Sequence, residues 1–173
     1  LISILILSLG ACGESSNNPQ GDVTIDINAD LYKTGDSLSL IAQQTLLQNV
    51  ATAMQSGGTE YAINFCHTNA FNIVDSLSKN YDVTISRISN KNRNPNNLPT
   101  ELESQLLKDL ENLKLKDTIV RGNNGVTYYK SIKMGLTTCL KCHGPVESID
   151  PKVYEIIKHK YPNDKMRIDI RST

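Results

Sequence analysis

Two cysteines followed directly by a histidine carry the clearest chemical signal in the sequence. Residues 138–144 read Thr-Cys-Leu-Lys-Cys-His-Gly, which places Cys139 and Cys142 three positions apart and His143 next. On a helix, side chains three positions apart face the same way, so both thiols can reach the two vinyl groups of one porphyrin. The histidine is then placed beneath the ring as an iron ligand. The pattern predicts a c-type haem bound covalently through Cys139 and Cys142, with His143 as the proximal ligand.

The composition limits the classes of function. Lys plus Arg and Asp plus Glu each number 18, and no long basic run occurs. We therefore expect no nucleic acid partner. The 173 residues are enough for one domain with a core after a short leader is removed. No paired carboxylates suited to acid–base catalysis stand out, so we expect a protein that is not an enzyme.

The N-terminal residues predict export. Residues 1–9 form an apolar run that is too short to span a bilayer and is typical of a signal peptide. The run ends in Leu-Gly-Ala-Cys, which resembles the lipobox of bacterial lipoproteins, where the cysteine is lipidated. We predict a signal peptide over residues 1–11, a lipid anchor at Cys12 and a flexible polar tether over residues 12–30. The expected location is the bacterial cell envelope, facing the periplasm or the exterior.

Two other kinds of site remain alternatives to haem, and a third is disfavoured. A thioredoxin-like redox pair lies in a βαβ pattern, which the surrounding sequence lacks. A structural zinc site could draw on Cys66, His67, Cys139, Cys142 and His143, although adjacent Cys66 and His67 are poorly spaced for chelating one ion. The other alternative is a binding lipoprotein without haem that contains a disulfide between Cys139 and Cys142.

Helical periodicity predicts two long helices in the first half of the domain, at residues 36–56 and 59–80, separated by Gly57 and Gly58. Cys66 lies at the centre of the apolar stripe of the second helix. His67 is rotated by about 100° towards the polar flank. Thr100 and Glu103 form a capping box that opens a third helix to about residue 115. Four leucines are expected to face inward from that helix: Leu102, Leu106, Leu110 and Leu113.

Strand signals follow the long helices. Residues 83–88 alternate in polarity, and residues 118–121 and 126–132 flank a Gly-Asn-Asn-Gly turn typical of a hairpin. A last helix is predicted over residues 151–159. Long helices ahead of a small antiparallel sheet indicate an α+β domain over residues 31–173.

Several short segments, in their order and spacing, resemble the PAS-like mono-haem c-type cytochromes, which occur as exported proteins and as sensor regions of kinases and chemoreceptors. The segments are residues 62–66, 87–89, 93–99 with Glu101, 139–144 and 161–164. The resemblance covers roughly residues 36–171. It implies a PAS-like antiparallel sheet preceded by long N-terminal helices, with one covalently bound haem c. The chain departs from the family at residues 165–171, which lack the usual glycines, so the last strand is expected to be altered or shortened.

The resemblance also implies roles for single residues. In the family a cysteine on the helix before the sheet binds iron opposite the attachment histidine, and Cys66 matches that position. His67, its neighbour, is the alternative distal ligand, because a neutral imidazole also binds iron. Arg87 and Arg93 are expected to contact the haem propionates.

A thiolate ligand favours ferric iron, so we expect a low reduction potential. The expected function is low-potential electron transfer with an unidentified redox protein. Redox sensing, or sensing of a small gas that binds on reduction, is the competing function.

Overall fold

The computed structural model describes residues 2–9 and 27–167, except 124 and 135. In these residues the chain forms one four-stranded sheet and four α-helices. Their bounds are β1 Ile2–Leu9, α1 Ile27–Tyr81, β2 Thr84–Ile88, α2 Glu101–Asn112, β3 Asp117–Gly122, β4 Gly125–Lys133, α3 Thr137–His143 and α4 Pro151–Lys160. Long helical structure and a small antiparallel sheet confirm the predicted α+β class.

The sheet has the strand order β2-β1-β4-β3, and every neighbouring pair is antiparallel. Its central strand β1 comes from the segment that the sequence predicted as a signal peptide. Leu7 lies opposite Ile85 on one side and Tyr128 on the other. A short apolar run has the same pattern in a signal peptide and in a buried strand, and here its backbone pairs with two strands. Removal of residues 1–11 stays a prediction.

Helix α1 is broken at Gly57 and Gly58, as predicted. Gly58 has φ 70° and ψ −166°, a combination that is open almost exclusively to glycine. The helix begins at Ile27, so residues 27–30 of the segment predicted as a tether over residues 12–30 are helical. The domain bounds stay a prediction.

Helices cover both faces of the sheet. Tyr128 packs in a cluster with Leu38, Ala42 and Val74 of α1. The adjacent Tyr129 packs with Leu107 and Leu110 of α2. Neighbouring strand residues point to opposite faces, so α1 and α2 lie on opposite sides of the sheet.

Helix α2 starts at the predicted capping box. The Thr100 hydroxyl accepts from the Glu103 backbone N–H, and the Glu103 carboxylate accepts from the Thr100 N–H. The predicted inward face is wrong in part, because Leu102 and Leu113 are 72% and 66% exposed. The helix packs Leu107 and Leu110 against Tyr129. Leu102 and Leu113 therefore lie on the side of the helix that faces away from the sheet.

Among the described residues, no helix combines the length and the apolar character needed to cross a bilayer.

Candidate haem-binding site

Helix α3 presents the predicted attachment residues. Cys139 and Cys142 are free thiols and are both partly buried, and His143 is the last residue of the helix. The helix ends at Gly144, whose N–H donates to the Leu140 carbonyl at 2.9 Å. A side chain at Gly144 would collide with that same carbonyl. This close contact ends the helix directly after His143 and fixes the position of that residue.

The His143 imidazole is held neutral. Burial, together with smaller effects of the nearby guanidinium groups of Arg93 and Arg87, lowers its pKa to about 3. The neutral ring is the form that binds a metal ion through a nitrogen lone pair. Its Nδ1 atom lies 3.4 Å from the Met166 Sδ atom.

Cys66 faces the same region from the second half of α1. Burial raises the pKa of its thiol, while the positive charges of Arg87 and Arg93 act in the opposite direction. Burial also raises the pKa of Cys142, and the proximity of Cys66 contributes to this increase. The structure thus brings Cys66 close to the attachment helix although 76 residues separate Cys66 from Cys142 in the sequence.

His67 lies on a different side of α1 from Cys66. Its side chain is exposed, and its ring meets the Tyr161 ring edge-on with the centroids 5.0 Å apart. The helical rotation predicted from the sequence is therefore present. Which of the two residues binds iron stays a prediction.

The two arginines predicted to contact propionates lie close to Cys66 and His143. Arg93 donates from Nε to Asp164 Oδ2 at 2.9 Å and from Nη2 to the Cys142 carbonyl at 2.8 Å. Arg87 is partly buried, and burial lowers the pKa of its guanidinium group. Since two nitrogens of Arg93 already bind the protein, Arg93 joins its own loop to α3. The propionate contacts stay a prediction.

An apolar cluster fixes α3 and α4 against α1. Ile63 of α1, three residues before Cys66, is buried with Ile149, Val153 and Ile157, and Cys142 packs against this cluster. Asp150 caps α4 by accepting from the Lys152 and Val153 N–H groups. The cap and the cluster together place α3 beside the cysteine face of α1.

The four predicted donor residues line neither of two clefts in the described part of the chain. One cleft, about 940 Å³, lies between residues 98–100 and the first turns of α2. The other, about 190 Å³, lies beside the break in α1.

The geometry bears on the two alternatives to haem, a disulfide and a structural zinc site. Cys139 and Cys142 do not form a disulfide in the structure. Within residues 2–9 and 27–167, no group of three His, Cys, Asp or Glu side chains is placed to hold one metal ion.

Two residues at the site were missed as site residues by the sequence reasoning. Asp164 was noted only as part of a turn, and Met166 only as part of an altered last strand. Residues 165–167 form a 3₁₀ turn instead, because Asp164 Oδ1 accepts from the Met166 N–H at 2.9 Å. Cys12 and residues 168–171 lie outside the described residues.

The chain was compared with known proteins. A family model described as Tll0287-like matches residues 24–169. The crystal structure of the cyanobacterial heme-protein Tll0287 matches with a TM-score of 0.56 and 22% sequence identity, covering 80% of this chain and 85% of that chain. The structural match shows a shared fold. No curated protein matches the sequence. Because the family model spans most of the sequence, the chain belongs to the Tll0287-like family.

Proposed function

We propose that the protein is an exported mono-haem c-type cytochrome that transfers electrons at low potential. Cys139 and Cys142 would bind the haem covalently, and His143 and Cys66 would hold its iron. The observation that carries the proposal is the meeting of two free thiols and a neutral imidazole on α3 with a third thiol from α1. The solved relative is itself titled a heme protein.

The donor set fits haem chemistry. Metal ligands must be deprotonated, so a neutral His143 is ready to bind and Cys66 must release its proton. Burial opposes that release because it raises the pKa of the Cys66 thiol, and the charges of Arg87 and Arg93 partly offset this effect. When bound, the haem supplies a one-electron ferric–ferrous couple, and an anionic thiolate ligand stabilises its ferric form.

Two apolar side chains at α3 favour the same assignment. Leu136 at the N-cap of the helix and Leu140 between the attachment cysteines are 58% and 37% exposed. Burying apolar surface contributes about 25 cal/mol per Å², so a porphyrin held beside α3 would be stabilised by covering them.

Lipidation at Cys12 and a location in the bacterial envelope complete the proposal. They rest on the sequence of residues 1–12, and they agree with haem attachment, which takes place outside the cytoplasm in bacteria. The proposal is for an electron carrier rather than an enzyme, with a redox protein as its partner.

Sensing of redox state or of a small gas is the second candidate function. Cys66 lies on the half of α1 that follows the break at Gly57 and Gly58. Release of the Cys66 thiolate on reduction would free this half of the helix to move about the break and would open a position on iron.

The visible spectrum of protein matured in an exporting host tests the proposal. We expect a red protein whose colour stays with the polypeptide after extraction with acid–acetone. A variant with Cys139→Ala and Cys142→Ala is the control, and its colour should be extractable or absent. A colourless wild-type protein would refute the proposal.

A further inference from the structure

A methionine from the C-terminal turn lies against the outer nitrogen of the proposed proximal ligand. The Met166 Sδ atom is 3.4 Å from Nδ1 of His143. A neutral imidazole has one N–H and one lone pair, and a thioether sulfur can only accept. In the tautomer that makes this contact a hydrogen bond, the proton is on Nδ1 and the lone pair is on Nε2.

We propose that Met166 is a positioning residue that selects the tautomer of His143 and presents Nε2 to the iron. The inference rests on the proposed function, since it needs a haem iron bound by His143. Histidines that bind metals usually donate their other N–H to a carboxylate, a carbonyl or water, and this partner tunes the metal. A thioether is a weaker acceptor than any of these.

Met166 is held in place by the same groups that hold the attachment helix. Asp164 accepts from the Met166 N–H through Oδ1 and from Arg93 through Oδ2. Arg93 also donates to the carbonyl of Cys142, the residue before His143. The Lys165 N–H donates to the Asn92 carbonyl at 3.0 Å. These bonds connect the Met166 backbone to the Cys142 carbonyl, next to His143, in one network.

The weak acceptor has a consequence for the reduction potential. A strong acceptor draws the Nδ1 proton away and makes the imidazole a better donor to ferric iron, which lowers the potential. Met166 withholds most of that effect. It therefore adds only a little to the lowering of the potential that the Cys66 thiolate would cause.

Reduction potentials of haem-bearing Met166 variants test the inference. In Met166→Gln the side chain offers a carbonyl oxygen, and in Met166→Leu it offers no acceptor. We expect the potentials to rank Leu above Met above Gln. If the full range is about tenfold in the relative stability of ferric over ferrous iron, at the low end of such effects, it corresponds to about 59 mV for a one-electron couple. Met54→Leu, a matched change at a partly buried position of α1, should leave the potential unchanged.

Several results would overturn the inference. Equal potentials, or shifts of Leu and Gln in the same direction, would mean that Met166 only fills space. A thiolate ligand such as Cys66 would give a near-infrared sulfur-to-iron absorption band, and loss of this band in Met166→Leu would make Met166 an iron ligand instead. In case Met166→Gln does not fold, Met166→Leu alone offers a second test: a potential above that of the wild-type protein supports the inference, and an equal or lower one refutes it. A colourless wild-type protein would overturn the proposed function as well, whereas haem-bearing variants without the expected ranking overturn this inference alone.

Discussion

Replacing Asp164 by asparagine should destabilise the folded chain by about 3 kcal/mol. The Asp164 carboxylate is fully buried and the Arg93 side chain is 13% exposed, with Nε and Oδ2 2.9 Å apart. Asparagine has almost the same shape, but one of the two acceptor oxygens becomes a donor. The substitution thus leaves a buried guanidinium group without its counter-charge.

The magnitude follows from the contacts that Arg93 keeps. Breaking a buried ion pair by removing one partner typically costs about 3–5 kcal/mol. Arg93 retains its hydrogen bond to the Cys142 carbonyl and lies 5.9 Å from the centre of the Tyr161 ring. Since these contacts partly stabilise the remaining charge, we expect the lower end of that range.

Thermal unfolding of the matured protein would measure the loss. For a domain of this size, 1 kcal/mol corresponds to about 2–4 °C, so the midpoint should fall by about 6–12 °C. Asp75→Asn is the matched control, because Asp75 pairs with Lys79 at 2.7 Å but the two side chains are 44% and 74% exposed. That change should cost less than about 1 kcal/mol. Equal effects of the two substitutions would refute the reasoning that burial makes the Arg93–Asp164 pair costly to break.

Three further predictions concern the distal ligand, the lipid anchor and an ion pair. Cys66→Ala should abolish the near-infrared sulfur-to-iron band and raise the reduction potential while the haem stays attached. His67→Ala should change the spectrum and the potential little. The reverse pattern in the spectra would assign the distal ligand to His67. Cys12→Ser should release a folded haem domain from the membrane fraction, and a variant that remains bound after a high-salt wash would exclude the lipid anchor. A hydrogen bond from Lys130 lowers the pKa of Asp36 below 3.8, against the effect of burial. That stabilisation is present above pH 3.8 and is lost as the pH falls through the lowered pKa. Asp36→Asn should therefore destabilise the protein at neutral pH and less in acid. Urea unfolding at both pH values checks this, and an equal loss of folding free energy at both would contradict it.

Helices and strands could be predicted where the pattern is local. The period of α1, the Gly57–Gly58 break, the Thr100 capping box and the turn between β3 and β4 each depend on residues close in sequence. The inward face of α2 could not be predicted from residues close in sequence. Leu102 and Leu107 lie on two different leucine-rich stripes that share Leu110. Only the position of Tyr129 decides which of the two stripes is buried.

The N-terminal segment shows a second limit of local pattern. Residues 2–9 have the length and apolar character of a signal peptide, and the same properties suit the central strand that they form here. Whether a strand has partners depends on residues more than 75 positions away in the chain. No pattern within the segment itself could reveal that pairing.

The site was predictable in its covalent part and not in its supporting contacts. Cys139, Cys142 and His143 lie within five residues of one another, so their spacing alone predicts the chemistry. Met166 is 23 residues from His143, and Asp164 is 71 residues from Arg93. These contacts arise from the packing of α3 and the C-terminal turn against the loop at residues 89–99.

The mass of the peptide that contains Cys139 and Cys142 tests the central claim most directly. It should be measured on wild-type protein matured in an exporting bacterial host, after acid–acetone extraction. We predict that this peptide carries one haem through two thioether bonds, and that neither thiol reacts with an alkylating reagent. An unmodified peptide with two alkylatable thiols would contradict the claim.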